Sequence, residues 1–268
     1  MNRRHILWLP LVAAALMLAW QYFSSEKFTN PETGRTAHVG MSEQQEAALG
    51  LQSYRQVLAQ SRAIQSGPQF EMVKTVAGRL AAATGAAGQK FNWQVSLIQD
   101  PQVNAFCLPG GEIVVYTGIL PVTQNEAALA TVLGHEMAHA TSRHGAQRVL
   151  QQNLTQTAMT GVAVSLGEMD YNKQRAIMGA LGAGARFGVL MPFSRKHESE
   201  ADEIGLMYMA RAGYDPEESI RFWKRMEQNS QGSPPEFMST HPAHGTRIAQ
   251  LEALMPKALE EYHKAIGR

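Results

Sequence analysis

The chain of 268 residues contains a single cysteine, Cys107. That excludes an intrachain disulfide and every metal cluster built from several thiolates, so any bound metal must be held by His, Asp and Glu. Charge of one sign is also lacking: 24 basic residues face 23 acidic ones, for a net charge of +1. Such a balance offers no electrostatic footprint for nucleic acid and none for a strongly acidic partner. No internal repeat or low-complexity tract is present, which excludes solenoid and linker-like architectures. Cys107 lies in the apolar run VNAFCLPGG, where a lone thiol reads as a small packed hydrophobe.

Against these absences stand a 44% hydrophobic content, enough for a sizeable core, and a distinctive amino terminus. In MNRRHILWLPLVAAALMLAWQYF, Arg3 and Arg4 precede an apolar run from Ile6 to about Phe23. Residues 1–24 therefore read as a signal peptide or signal anchor. A run of about 18 residues is at the short end of what spans a bilayer, and no clear small-x-small cleavage site follows, which favours an uncleaved anchor. The arginines are expected to stay cytoplasmic, leaving the rest of the chain exported on the far side.

Residues 25–40, polar and broken by Pro and Gly, read as a linker, and 41–268 as one domain. Helical periodicity starts after Ser42, and a second helix opens at Pro68 and stops near Thr84. Short β-rich stretches over 92–98, 103–108 and 112–116 are separated by DP and PGG turns, as in a small antiparallel sheet. Helical patterns resume from about Asn125 and recur over 145–165, 171–188, 197–212, 216–229 and 244–264. The fold class is α+β, mostly helical.

Chemistry concentrates in LGHEMAHATSRHG, residues 133–145. His135 and His139 are four apart, so on a helix they project from one face, separated by roughly 40° about the axis, and can share one metal. Glu136, about 100° around from His135, can touch a water on that metal without ligating it, as a general base must. His144 would be rotated roughly 140° from His139 on a continuing helix, so it reads as a surface or helix-end residue. A third ligand must come from elsewhere. In RKHESEADEIG, residues 195–205, Glu198 and Asp202 again share a helical face. Glu198 can supply the ligand oxygen, and Asp202 can accept the second N–H of a metal-bound histidine. Glu200 faces the other way. A solvated acidic helix face is the plain alternative for this stretch.

HEMAH followed about sixty residues later by ESEAD resembles the M48 family of zinc metallopeptidases. NAFCLPGGEIVVYTGIL is similar to that family's strand pair and STHPAHGTRI to its downstream His-Pro segment, so the resemblance covers roughly residues 40–255. It implies a zincin-like (gluzincin) domain with one Zn2+ per chain, held by His135, His139 and Glu198. It further implies a metalloendopeptidase of the type with a soluble periplasmic domain, at the periplasmic face of the inner membrane if the N-terminal segment is retained and soluble in the periplasm if not.

By the same resemblance, Glu136 deprotonates the attacking water. His241, near the metal, is the candidate stabiliser of the oxyanion; His244 and Arg247 share that stretch, and a helix-capping turn at Pro242 is of nearly equal weight. Zincins hold extended substrates against a sheet edge, which makes Asn104, Ala105, Phe106, Ile113, Val114 and Val115 candidate substrate-binding residues, with ordinary buried strands as the alternative. The expected partners are protein or peptide substrates, the membrane through the N-terminal segment, and envelope proteins, with no nucleic acid. The expected role is envelope protein quality control. A chaperone-like or scaffolding protein with a structural or dormant zinc site is the competing reading, but a structural site has no need of Glu136.

Overall fold

The computed structural model describes residues 8–167, 169–184, 191–228, 235–241 and 245–268. Arg3, Arg4 and His244 lie outside the described residues. In chain order the elements are α1 (Trp8–Ser24), β1 (Glu26–Thr29), β2 (Thr36–Val39), α2 (Glu43–Ala59), β3 (Ala63–Ile64), α3 (Pro68–Ala83), α4 (Gly85–Gly88), β4 (Gln94–Ile98), β5 (Ala105–Cys107) and β6 (Glu112–Tyr116). After a 3-10 turn at Thr117–Ile119 follow α5 (Leu120–Thr123), α6 (Glu126–Thr141), α7 (His144–Ser165), α8 (Tyr171–Gly184), α9 (Met191–Arg211), α10 (Glu217–Gln228), α11 (Glu236–Thr240) and α12 (Arg247–Ala265). Helix dominates, as the periodicity predicts.

Two compact units emerge. The first comprises residues 1–29, 36–42 and 145–196, and the second 30–35, 43–144 and 197–268. Residues 145–196 thus group with the N-terminal residues. In the first unit, the segment expected as a linker forms an antiparallel hairpin in which Glu26 pairs with Val39 and Thr29 with Thr36. Strands of four residues, EKFT and TAHV, are too short to announce themselves by alternation. Helix α1 exposes Trp8, Leu9, Trp20 and Phe23 and buries none of its side chains. At about 1.5 Å per residue its 17 residues extend some 25 Å, less than the roughly 30 Å of a hydrocarbon core. Among the described residues no helix is long and apolar enough to cross a membrane.

The second unit carries the sheet, in the order β3-β4-β6-β5. Its β3–β4 and β5–β6 pairs are antiparallel and its β4–β6 pair is parallel. The sequence connection from β4 through β5 to β6 places β5 at the edge, with β6 inside. Helices α3 and α6 pack beside the sheet, α6 directly against β5. The core gathers Val73, Val76 and Leu80 of α3, Leu129, Leu133 and Met137 of α6, and Tyr208, Phe222, Trp223 and Phe237 from later helices. Helix α6 is buried on nearly every face, so its sequence EAALATVLG has no solvent side to colour polar and its periodicity is weak. Asn125 fixes where it begins, accepting a hydrogen bond from the Ala128 N–H at 2.8 Å. Helices α6 and α9 approach closely where Gly134 meets Gly205. A Cβ on Gly205 would stand 2.7 Å from the backbone nitrogen of His135.

Candidate active site

The site is built where α6 crosses α9, and the glycine contact sets how near their functional faces come. His135 and His139 lie one turn apart on α6, their Nε2 atoms 3.1 Å from each other. Glu198 of α9 completes a triangle: its Oε2 is 3.3 Å from His135 Nε2 and its Oε1 is 3.4 Å from His139 Nε2. A tetrahedral ion with ligand bonds of about 2.0–2.1 Å requires neighbouring donors to be roughly 3.3 Å apart, so this donor set fits a zinc-sized cation. His241, just past α11, adds its Nδ1 at 3.2 Å from both Glu198 oxygens and 3.2 Å from His135 Nε2. These four side chains form a group able to hold a metal ion.

Charge favours the same conclusion. Glu136, Glu198, Asp202 and Arg247 are all buried; with the histidines neutral, as metal ligands are, three carboxylates against one guanidinium would leave two negative charges, which a divalent cation would neutralise. Arg247 at the start of α12 spans two of them, with Nε donating to Asp202 Oδ2 at 2.6 Å and Nη2 to Glu198 Oε2 at 2.9 Å. Its guanidinium lies 3.9 Å from the centre of the Trp223 ring, a cation–π stack that keeps the fork in plane. Burial opposes a charge on His135, but hydrogen bonds to Asp202 and Glu198 outweigh it and lift the imidazole to about 10. Burial likewise opposes the Glu198 carboxylate, yet His135, His139 and His241 hold it well below the usual carboxylate range. Both shifts describe a pocket that demands a positive charge.

Asp202 Oδ1 lies 2.9 Å from His135 Nδ1, which leaves His135 Nε2 for the cation and fixes the ring. Glu136 points its carboxylate past the pair. Its Oε1 makes no hydrogen bond among the described residues, with His241 Nε2 3.2 Å away. Burial raises the Glu136 carboxyl above its ordinary value, against the opposing pull of His241 and His135. The Cys107 backbone of β5 hydrogen-bonds to this carboxylate, so the edge strand lies against Glu136. The Cys107 thiol is pushed up by burial and by the nearby Glu136 and Glu112 charges, as befits an inert thiol.

The other sequence-predicted residues separate. Tyr116 N donates to Asn104 O, and Leu108 N donates to Glu112 O, so residues 104, 106 and 108 face β6 with their backbones while Ala105 and Cys107 turn theirs to the outer edge. Ile113, Val114 and Val115, also expected as substrate-binding, lie on β6, which is paired on both sides and buried. Their backbone polar groups are committed to neighbouring strands. His144, expected at a surface or helix end, is 4% exposed and stands with its Nδ1 2.8 Å from His139 Nδ1. The rotation argument assumed one continuous helix; α6 ends at Thr141 and His144 opens a new one. Glu200 does face away from Glu198, toward a polar cluster that runs from buried Asn30 out to Thr33 and Arg35 at the surface. No local pattern in the linker-like segment signals that partnership.

The model of peptidase family M48 matches residues 68–255. The chain belongs to peptidase family M48. It is a metalloendopeptidase, and relatives carry the same designation: the mitochondrial metalloendopeptidase OMA1 of Schizosaccharomyces pombe is 34% identical over 242 residues, covering 88% of this chain and 68% of that protein. OMA1 of Saccharomyces cerevisiae is 32% identical, covering 88% and 71% respectively. The beta-barrel assembly-enhancing protease of Yersinia pestis is 32% identical over 224 residues, which span 82% of this chain and 46% of that protein. The M48 match contains all four potential metal ligands as well as Glu136, Asp202 and Arg247, and leaves out residues 30–35.

Proposed function

We propose that this M48 member is a zinc-dependent endopeptidase in which His135, His139 and Glu198 hold one Zn2+, Glu136 is the general base, and Asp202 orients His135. The observation that carries the reading is the triangle of donors at 3.1–3.4 Å beside a buried carboxylate whose Oε1 accepts no hydrogen bond among the described residues. When bound, zinc would supply Lewis acidity and make water acidic enough to ionise near neutral pH. Glu136, made more basic by burial, takes the proton from the attacking water and delivers it to the departing amine. His241 lies against both Glu136 and Glu198 and supports the oxyanion of the substrate as it develops. Arg247 keeps Glu198 and Asp202 aligned.

An extended peptide is proposed to add to the sheet at β5, where Ala105 directs its backbone outward and where Cys107 touches the base. Of the candidate substrate residues, Ala105 offers its backbone to the peptide; Asn104 and Phe106 flank it with their backbones bonded to β6, and Ile113, Val114 and Val115 support the strand from behind. Protein substrates in envelope quality control suit relatives named as a mitochondrial metalloendopeptidase and as a beta-barrel assembly-enhancing protease. The exposed apolar side chains of α1 suit export with attachment to the membrane through the N-terminal segment. The deciding experiment compares Glu136→Gln with the native chain on casein, each quantified for bound zinc. Full zinc content with turnover reduced about 10²–10⁴-fold is expected; equal cleavage by the two would overturn the assignment.

A further inference from the structure

The geometry points to a relay, running from the loop Asn30–Arg35 through Glu200 and His144, that positions His139 for the metal. It rests on the reading of His139 as a ligand. His139 turns Nε2 toward His135 and Glu198, and its other nitrogen, Nδ1, lies 2.8 Å from His144 Nδ1. A neutral imidazole that ligates through Nε2 carries its proton on Nδ1. His139 therefore donates, His144 accepts at Nδ1, and the His144 proton must sit on Nε2. That atom lies 2.9 Å from Glu200 Oε2, an acceptor only. Each proton position follows from the one before, and the chain ends on a fixed charge.

Glu200 is itself held from several sides. Its Oε1 accepts from Asn30 Nδ2 at 3.1 Å, Thr33 Oγ1 at 2.8 Å and Arg35 Nε at 3.0 Å. Arg35 Nη2 reaches Oε2 at 2.6 Å. His197 stacks on His144 with ring centres 4.2 Å apart and planes 12° from parallel, which fixes the ring plane. His144 and Glu200 are buried, so the bond between them is shielded from water, while Thr33 and Arg35 reach Glu200 from the solvent side.

The backbone is bent to make the contact. Arg143 adopts φ +53°, a left-handed conformation that side-chain-bearing residues seldom take without surrounding constraint. Its guanidinium is anchored by Nε donating to Glu46 Oε2 at 2.6 Å. That single residue ends one helix and swings His144 back over His139. The two zinc histidines are thus oriented differently, His135 directly by a carboxylate and His139 through an intervening imidazole. Asn30, Thr33 and Arg35 lie before the family match at 68–255, so this support belongs to the chain outside it.

The test uses the full chain and reads the metal rather than proteolysis. His144→Phe keeps the stacked ring and removes both hydrogen bonds; zinc affinity by chelator competition is expected to fall about 10–100-fold, with an altered visible spectrum of the cobalt(II) form. His144→Asn, whose Oδ1 can replace the acceptor, should recover most of the loss, and Arg35→Met should weaken zinc binding several-fold. In the zinc-loaded native protein, long-range 1H–15N spectra should show His139 as the Nδ1–H and His144 as the Nε2–H tautomer. Native zinc affinity and cobalt spectrum in His144→Phe, or His144 as the Nδ1–H tautomer, would overturn the relay. If His144→Phe does not fold, native affinity in both Arg35→Met and Glu200→Gln overturns it instead. His139→Ala separates the two readings: retention of zinc there refutes the ligand assignment, whereas loss of zinc there beside a normal His144→Phe refutes only the relay.

Discussion

Replacing Arg247 with Met should destabilise the metal-free protein far more than the metal-loaded one. The guanidinium is 2% exposed and is the countercharge in contact with both Asp202, at 2.6 Å, and Glu198, at 2.9 Å. Methionine fills much of the same volume against Trp223, so the change removes charge and hydrogen bonds with little loss of packing. Removing one partner of a buried ion pair costs about 3–5 kcal/mol, because the remaining charge is stranded away from water. For a folded unit of this size each kcal/mol moves the melting temperature by about 2–4 °C, so a fall of roughly 6–20 °C is expected without metal. Zinc would supply the missing positive charge, and the loaded variant should recover a large part of the loss by preferential binding to the folded state. Differential scanning calorimetry on the native chain, Arg247→Met and Arg247→Lys, each with and without zinc, reads both effects. Lysine keeps the charge without the fork and should fall between the other two. A metal-free loss below about 2 °C for Arg247→Met would refute the claim that this residue is a needed countercharge for Asp202 and Glu198.

Other perturbations separate structure from chemistry. Gly205→Ala places a Cβ 2.7 Å from the His135 backbone nitrogen, which must force α6 and α9 apart; loss of zinc along with about 1–3 kcal/mol of stability is expected, measured by chelator competition and denaturant melts. His241→Ala should lower turnover on casein about 10²–10³-fold if the ring supports the oxyanion, with zinc content retained; loss of zinc instead would make it an essential ligand. Away from the site, burial works against the charge on Glu218, but Arg221, Arg225 and Asn125 outweigh it and hold the carboxyl below its usual range. A depressed value in the folded state stabilises fully above the unfolded value of about 4.3 and fades as pH falls through the folded one. The stability gap between native protein and Glu218→Gln should therefore be complete at neutral pH and close in acid, followed by melting temperature against pH.

Much of the site is legible in a single strand of text, because the helix repeat converts spacing into direction. Four-residue spacing puts His135 with His139, and Glu198 with Asp202, and the structure keeps both pairs on single faces. Boundaries are legible where a cap or breaker marks them, as at Asn125 and Pro68. The N-terminal hairpin is hidden from the sequence because its strands, EKFT and TAHV, are only four residues long, too short for alternation to stand out. The β6 residues were placed at a substrate edge because strand order in a sheet is not a local property: which strand ends at the edge depends on how β4 and β6 come to lie side by side in parallel.

The sequence alone therefore determined the types of side chain available to a metal, all nitrogen and oxygen donors for want of several thiols, and the helical faces on which they cluster, because the 3.6-residue turn converts spacing into direction. Only the tertiary structure decided how near those faces stand, through the contact of Gly134 with Gly205, and that Arg247 offsets part of the site's negative charge. It also decided the fate of His144. A single left-handed residue, Arg143, breaks the helix on which the rotation argument depended, and backbone conformation at one position is settled by the packing around it rather than by the letters beside it.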